Sequence, residues 1–171
     1  MSDLIFLDTE TTGLDPEKHD VWEIAWAVND GPIRSVILPH SIVKADIKAL
    51  NMNGYWDRVP GHFPDPETYD ITIRGILEGN TLVCANPTFD RMFLWRRWGY
   101  EPYHYRSIDI ESMALLCFEW ERPRGLKDIV DELNSRVYDI DKPDHSAAKD
   151  VEVLRACYKA IRLENNKYKI Y

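Results

Sequence analysis

Leu4-Ile5-Phe6-Leu7-Asp8-Thr9-Glu10-Thr11-Thr12-Gly13-Leu14 joins a short apolar run to two carboxylates and a glycine turn. The run Leu4 to Leu7 suits a strand buried on both faces, and side chains two apart on a strand point the same way, so Asp8 and Glu10 share a face. Two carboxylates side by side at the end of a buried strand repel one another; one must bind a proton, or both must bind a cation. Hard oxygen ligands with no cysteine or histidine beside them select magnesium or manganese over zinc. The plain alternative is a solvated strand end.

Two further acids and a histidine extend the pattern. On a helix opening at Pro87, Asp90 lies one turn before Phe93 and Leu94, on or beside the face that packs on the sheet. Its ordinary role there would be to complement the helix N-terminus, worth about 0.3–1 kcal/mol. In the last helix Ala147, Val151, Leu154, Tyr158 and Ile161 recur at alternating steps of four and three, and Asp150 falls inside that apolar stripe. An unpaired acid there must protonate or recruit a cation, and a metal shared with Asp8 and Glu10 accounts for its position; a salt bridge is the alternative.

His145 precedes Asp150 by five residues, about 140° away on a continuous helix, so the two cannot share a face. Placed in the turn before the helix, with Asp144 or Ser146 as cap, its ring is free to swing over the mouth of the site and take a proton from water. Taken alone, His145 is better described as an ordinary exposed histidine. Asp109 and Glu111 form a rival pair, better read as the cap and first-turn acid of a helix over Glu111 to Trp120. His19, His40, His62 and His104 have no acidic partner at useful spacing.

The elements that position these residues follow in order. Val21 to Val28 and Ile33 to Leu38 read as a hairpin around Asn29-Asp30-Gly31. A helical pattern over Ala45 to Asn51 stops at Asn53-Gly54, and the proline- and glycine-rich stretch from Trp56 to Pro66 reads as a loop. A helix over Glu67 to Glu78 precedes a buried strand over Thr81 to Ala85; Asn86-Pro87 then caps a helix that ends at Gly99. Ser107 to Ile110 reads as a further parallel strand, Leu126 to Leu133 as a helix, and the last helix runs from Asp144–Ser146 to about Arg162. Strands first, then strands alternating with helices, predict an α/β fold with a mixed central sheet flanked by helices.

Composition bounds the function. A length of 171 residues and 44% hydrophobic content predict one domain with a proper core. With no membrane-length apolar run and no signal-peptide pattern, the expectation is a cytoplasmic protein without membrane attachment, in which Cys84, Cys117 and Cys157 are reduced core thiols. The net charge of −8 argues against gripping nucleic acid by a broad basic face. It leaves room for a nuclease in which cations supply the positive charge and Arg91, Arg96, Arg97, Arg122 and Arg124 form a local rim.

The set Asp8-Thr9-Glu10-Thr11-Thr12-Gly13-Leu14, Asn86-Pro87-Thr88-Phe89-Asp90, and His145 ahead of Asp150 resembles the DEDDh group of 3′–5′ exonucleases in the ribonuclease-H-like superfamily, across residues 4 to about 160. The resemblance implies that Asp8, Glu10, Asp90 and Asp150 hold two Mg²⁺ or Mn²⁺ ions, that His145 is the general base, and that nucleoside 5′-monophosphates leave one at a time from the 3′ end of DNA or RNA. It also implies that Leu14 packs against the terminal base, that backbone at Thr11 and Thr12 approaches the terminal sugar, and that Asn53 and Tyr55 belong to a second nucleotide-contacting stretch; the plain alternatives are Leu14 as a core residue and Tyr55 as a packed aromatic. The partner would be single-stranded or 3′-terminal nucleic acid, with any polymerase acting in trans. One departure is Ala85, where many relatives carry a histidine before the asparagine. Two rival readings are a catalytically silent accessory module on the same fold and a phosphotransfer enzyme with an aspartyl nucleophile at Asp8; the latter needs an aspartate where Glu10 stands.

Overall fold

The computed structural model of the protein describes residues 2–59 and 66–167. Its first strand, β1 (Leu4–Thr11), is longer than its apolar run. The reason is its neighbour β2 (Val21–Val28), which pairs antiparallel from Ile5↔Val28 through Asp8↔Ala25 to Glu10↔Glu23 before the register shifts at Thr11. The ladder carries the strand through Asp8 and Glu10, so the acids lie within it, toward its C-terminal end.

β3 (Arg34–Ile37) pairs antiparallel with β2 and is shorter than the run predicts. β4 (Thr81–Cys84) runs parallel to β1, and the two-residue β5 (Ile108–Asp109) parallel to β4, giving the order β3-β2-β1-β4-β5. The mixed sheet matches the expectation. Its parallel half, with β1 at the centre, brings the C-terminal ends of β1, β4 and β5 to one edge, where open α/β sheets place their ligands.

Seven helices are described: α1 (Ile47–Met52), α2 (Tyr55–Arg58), α3 (Pro66–Leu77), α4 (Pro87–Trp98), α5 (Ile110–Cys117), α6 (Leu126–Ser135) and α7 (Ala147–Lys167). The Asp46 side chain caps α1. Gly54, at φ 63°, turns the chain into α2, a helical turn at the start of the expected loop; residues 60–65 of that loop, His62 among them, lie outside the described residues. Asn86 does not cap α4 with its side chain: it adopts a left-handed φ of 56°, and its backbone N–H donates to Asp109 Oδ1 at 3.2 Å. α7 continues past Arg162 because Glu164, buried, is held by Tyr138 and Lys167.

Strand alternation splits the core in two. Phe6, Ala25, Ala27 and Val83 face α5, α6 and α7, packing with Ile110, Ile129, Leu133, Val151, Leu154 and Tyr158. Ile5, Leu7, Ile24, Leu82 and Cys84 face α3 and α4, packing with Ile73, Leu77, Phe93 and Leu94. The three cysteines are buried and unpaired. Among the described residues no helix is long and apolar enough to cross a membrane.

Candidate active site

The parity of β1 decides which acids can meet. Asp8 and Glu10 continue the row of Phe6 and so face α7; Thr9 continues the row of Ile5 and Leu7 and so faces α4. Asp150, in the first turn of α7 and buried within its apolar stripe, arrives on the Phe6 side. Carboxylate oxygens of Asp8, Glu10 and Asp150 lie within 4.8 Å of one another. Asp90, buried in the first turn of α4, comes from the opposite side of the sheet and takes the Thr9 hydroxyl at 2.8 Å. It stands beside the three-acid group rather than within it.

Protonation reflects this crowding. Burial, then the charges of Asp90 and Glu10, raise the Asp8 carboxyl well above its ordinary value. Glu10 is pushed up to about 8 by burial and by Asp150, against an opposing hydrogen bond from Asn53. Asp90 is raised to about 7 by burial, with the Thr9 hydrogen bond opposing. Asp150 is raised by burial, while the Asp144 N–H at 3.1 Å and the neighbouring His145 pull the other way. A dense set of oxygen donors that cannot all hold their charge is a fit for hard divalent cations, which replace protons on such groups.

Sequence reading passed over a fifth acid. Glu23 lies on β2 directly across the ladder from Glu10, is 3% exposed, and pairs with Arg58. The signal was a lone glutamate inside Val21-Trp22-Glu23-Ile24-Ala25-Trp26-Ala27-Val28, an otherwise apolar strand. His145 sits in the turn ahead of α7, exposed and at a left-handed φ of 62°, with Asp144 capping Ser146 at 2.9 Å. The rival pair behaves as a cap: Asp109 accepts from the Glu111 N–H at 3.0 Å, and burial plus Asp109 push Glu111 to about 7.

The chain is 32% identical over 145 residues to the oligoribonuclease of Vibrio cholerae, covering 73% of this chain and 80% of that one. The chain belongs to the oligoribonuclease family of DEDDh 3′–5′ exonucleases. The oligoribonuclease of Legionella pneumophila is 28% identical over 170 residues, covering 79% of this chain and 89% of the relative. Among solved structures, E. coli exonuclease I bound to single-stranded DNA in a zinc-containing form superposes with a TM-score of 0.76 at 17% identity, covering 97% of this chain; it shares the ribonuclease-H-like fold. The chain spans about two-fifths of that protein's length (41%). No protein-family model matches the chain. By family it is a hydrolase, a 3′–5′ exonuclease.

In this exonuclease the turn after β1 is held by its own hydrogen bonds. Thr11 Oγ1 donates to the Gly13 carbonyl at 2.7 Å, Thr12 Oγ1 accepts from the Asp20 N–H at 2.9 Å, and the Thr12 carbonyl accepts from Asp46 at 2.7 Å. Both threonines are buried, and their hydroxyls hold the turn whose backbone the resemblance brings to the terminal sugar. A Cβ at Gly13 would lie 2.5 Å from the His19 ring, and moving that ring would break its hydrogen bond from the Asp15 N–H. Leu14 projects from this rigid turn 76% exposed, which excludes a core role.

Asn53, buried, donates from Nδ2 to the Thr11 carbonyl at 3.1 Å and braces the same turn. Tyr55 is 6% exposed, packed edge-on against Trp22, with its hydroxyl 2.6 Å from His40 Nε2. It is a core aromatic, so the exposed ring of that stretch is its neighbour Trp56, at 55%. The four-residue helix turns the two adjacent side chains to different sides. A groove of about 430 Å³ runs between the loop at Pro16–Glu17 and the outer face of α4 at Thr88, Met92 and Trp95. The expected basic rim is partly spent: Arg91 is paired with Glu101, and Arg97 with Asp70 and the Pro39 carbonyl.

Proposed function

We propose that this chain is a metal-dependent exonuclease that trims short single-stranded oligoribonucleotides from the 3′ end, releasing nucleoside 5′-monophosphates. The observation that carries the reading is the meeting of Asp8, Glu10 and Asp150 toward the C-terminal end of the central strand, with Asp90 beside them and His145 ahead of Asp150. Asp8, Glu10, Asp90 and Asp150 would hold two Mg²⁺ or Mn²⁺ ions, which supply positive charge and Lewis acidity at the scissile phosphate. His145 takes the proton from the attacking water, whose oxygen bonds to phosphorus as the bond to the 3′-oxygen of the preceding nucleotide breaks. Leu14 and Trp56, exposed apolar groups on two segments tied together through Thr11 and Asn53, flank the terminal base. The groove along α4 begins two residues from both Leu14 and Asp90, and takes the preceding base on Met92 and Trp95.

Similarity to oligoribonucleases favours RNA salvage over proofreading beside a polymerase. The test is a degradation panel of 5′-labelled RNA and DNA oligonucleotides of graded length with Mg²⁺, Mn²⁺ or chelator. Metal-dependent laddering of short RNA is the expected result. Laddering unaffected by chelator, or no cleavage of any substrate, overturns the reading.

A further inference from the structure

Arg58, the last residue of α2, gathers three segments far apart in sequence. Its Nη1 donates to the Asn53 carbonyl at 2.9 Å and to the His145 carbonyl at 3.2 Å, and its Nη2 pairs with Glu23. The same Glu23 oxygen accepts from the Ala147 N–H, at 3.2 Å, where α7 begins. The guanidinium lies over Trp22, 4.9 Å from the ring centroid.

We propose that Arg58 is a positioning residue for His145, anchored by Glu23 and acting through the His145 carbonyl; the inference rests on His145 being the general base. His145 holds a left-handed φ that non-glycine residues seldom adopt, so the peptide after it needs an outside hold to keep one orientation. That peptide fixes the direction in which the imidazole leaves the backbone. An ion pair with Glu23 would by itself serve stability. Arg58 also places Nη1 on Asn53, which braces the turn carrying Leu14, and on His145. A planar fork can reach a carboxylate and two carbonyls at once; a lysine ammonium in its place keeps the charge and loses the fork.

Three variants test this: R58K, H145A and the pair together, read by steady-state kinetics on a short RNA and by hydrogen exchange across residues 143–147. Loss of a general base slows turnover by about 10²–10⁴-fold, which sets the ceiling for any effect acting through it. R58K should lower kcat by about tenfold or more with KM nearly unchanged and speed exchange in that segment; in the H145A background it should lower kcat no further. Unchanged kcat and exchange in R58K, or an equal loss with and without His145, overturns the inference. Wild-type turnover in H145A overturns the base assignment instead, and faster exchange in R58K then still marks Arg58 as the hold on that turn. R58A leaves Glu23 buried without its partner and is open to unfolding, so R58M/E23Q, which removes both charges and keeps an acceptor for Ala147, serves as the folded control.

Discussion

The Thr9 hydroxyl donates to Asp90 at 2.8 Å, and this bond fastens the α4 side of the site to the central strand. It also opposes the burial that raises the Asp90 carboxyl to about 7. Thr9→Val keeps the shape and removes the donor, so Asp90 should hold its proton to higher pH and surrender it to metal less readily. The expected loss in apparent metal affinity is about 10–100-fold, the range for removing an outer partner of a metal ligand. Initial rates against Mn²⁺ concentration check it, with T9S restoring most of the affinity. An unchanged metal requirement in T9V would remove Asp90 from the metal site.

Stability without metal should fall as pH rises, the reverse of the usual carboxylate pattern. Folding raises Glu10 from 4.5 to about 8 and Asp90 from 3.8 to about 7. Between about pH 4 and pH 8 the folded chain therefore binds more protons than the unfolded one. The stabilisation from these groups is complete below their unfolded values and is lost as pH passes through the folded ones. Divalent cations replace those protons, so their protective effect should grow with pH. Melting curves from pH 5 to pH 9, with chelator and with Mn²⁺, decide the point. A chelated protein whose Tm climbs over that range contradicts it.

How far the sequence could be read follows from which signals are local. The strand carrying Asp8 and Glu10, the buried stripe around Asp150 and the turn at His145 are periodicity and turn chemistry, and the structure places them where those signals point. Strand ends were less legible because pairing decides them: β1 runs through its acids only because β2 lies alongside, and β5 keeps two residues of the four read as strand from Ser107 to Ile110. Glu23 and Arg58 were invisible as a pair, 35 residues apart with no periodic relation. Tyr55 and Trp56 were told apart only by packing, since both are aromatic and adjacent.

Leu14 and Trp56 should matter for binding and little for the chemical step. Each is an exposed apolar group on the two segments that Asn53 ties together, and an aromatic ring stacked on a base contributes about 1–3 kcal/mol by alanine substitution. L14A and W56A are expected to raise KM for a short RNA by about tenfold, with smaller change in kcat and an unchanged melting temperature. Trp56→Phe should recover most of the loss. A Y55A variant, by contrast, removes a packed ring and should lower Tm before it alters KM. Equal KM in W56A and the wild type would move the terminal base away from α2.

Asp150→Asn should separate activity from stability. Asparagine keeps an acceptor for the Asp144 N–H while removing one of the charges that raise Glu10 and Asp8. At pH 8 with chelator present the variant is expected to be more stable than the wild type by about 1 kcal/mol, or about 2–4 °C in Tm for a chain of this size. At pH 5 the difference should shrink, because protons already relieve the crowding there. Mn²⁺ should then stabilise the variant far less than the wild type, and activity should fall by more than the roughly 10–100-fold that follows loss of an outer partner. Such a gain in stability at the expense of turnover is what a strained functional site produces. If D150N instead melts lower than the wild type at pH 8 without metal, the carboxylates are not in repulsive contact, and the cations have no crowding to relieve.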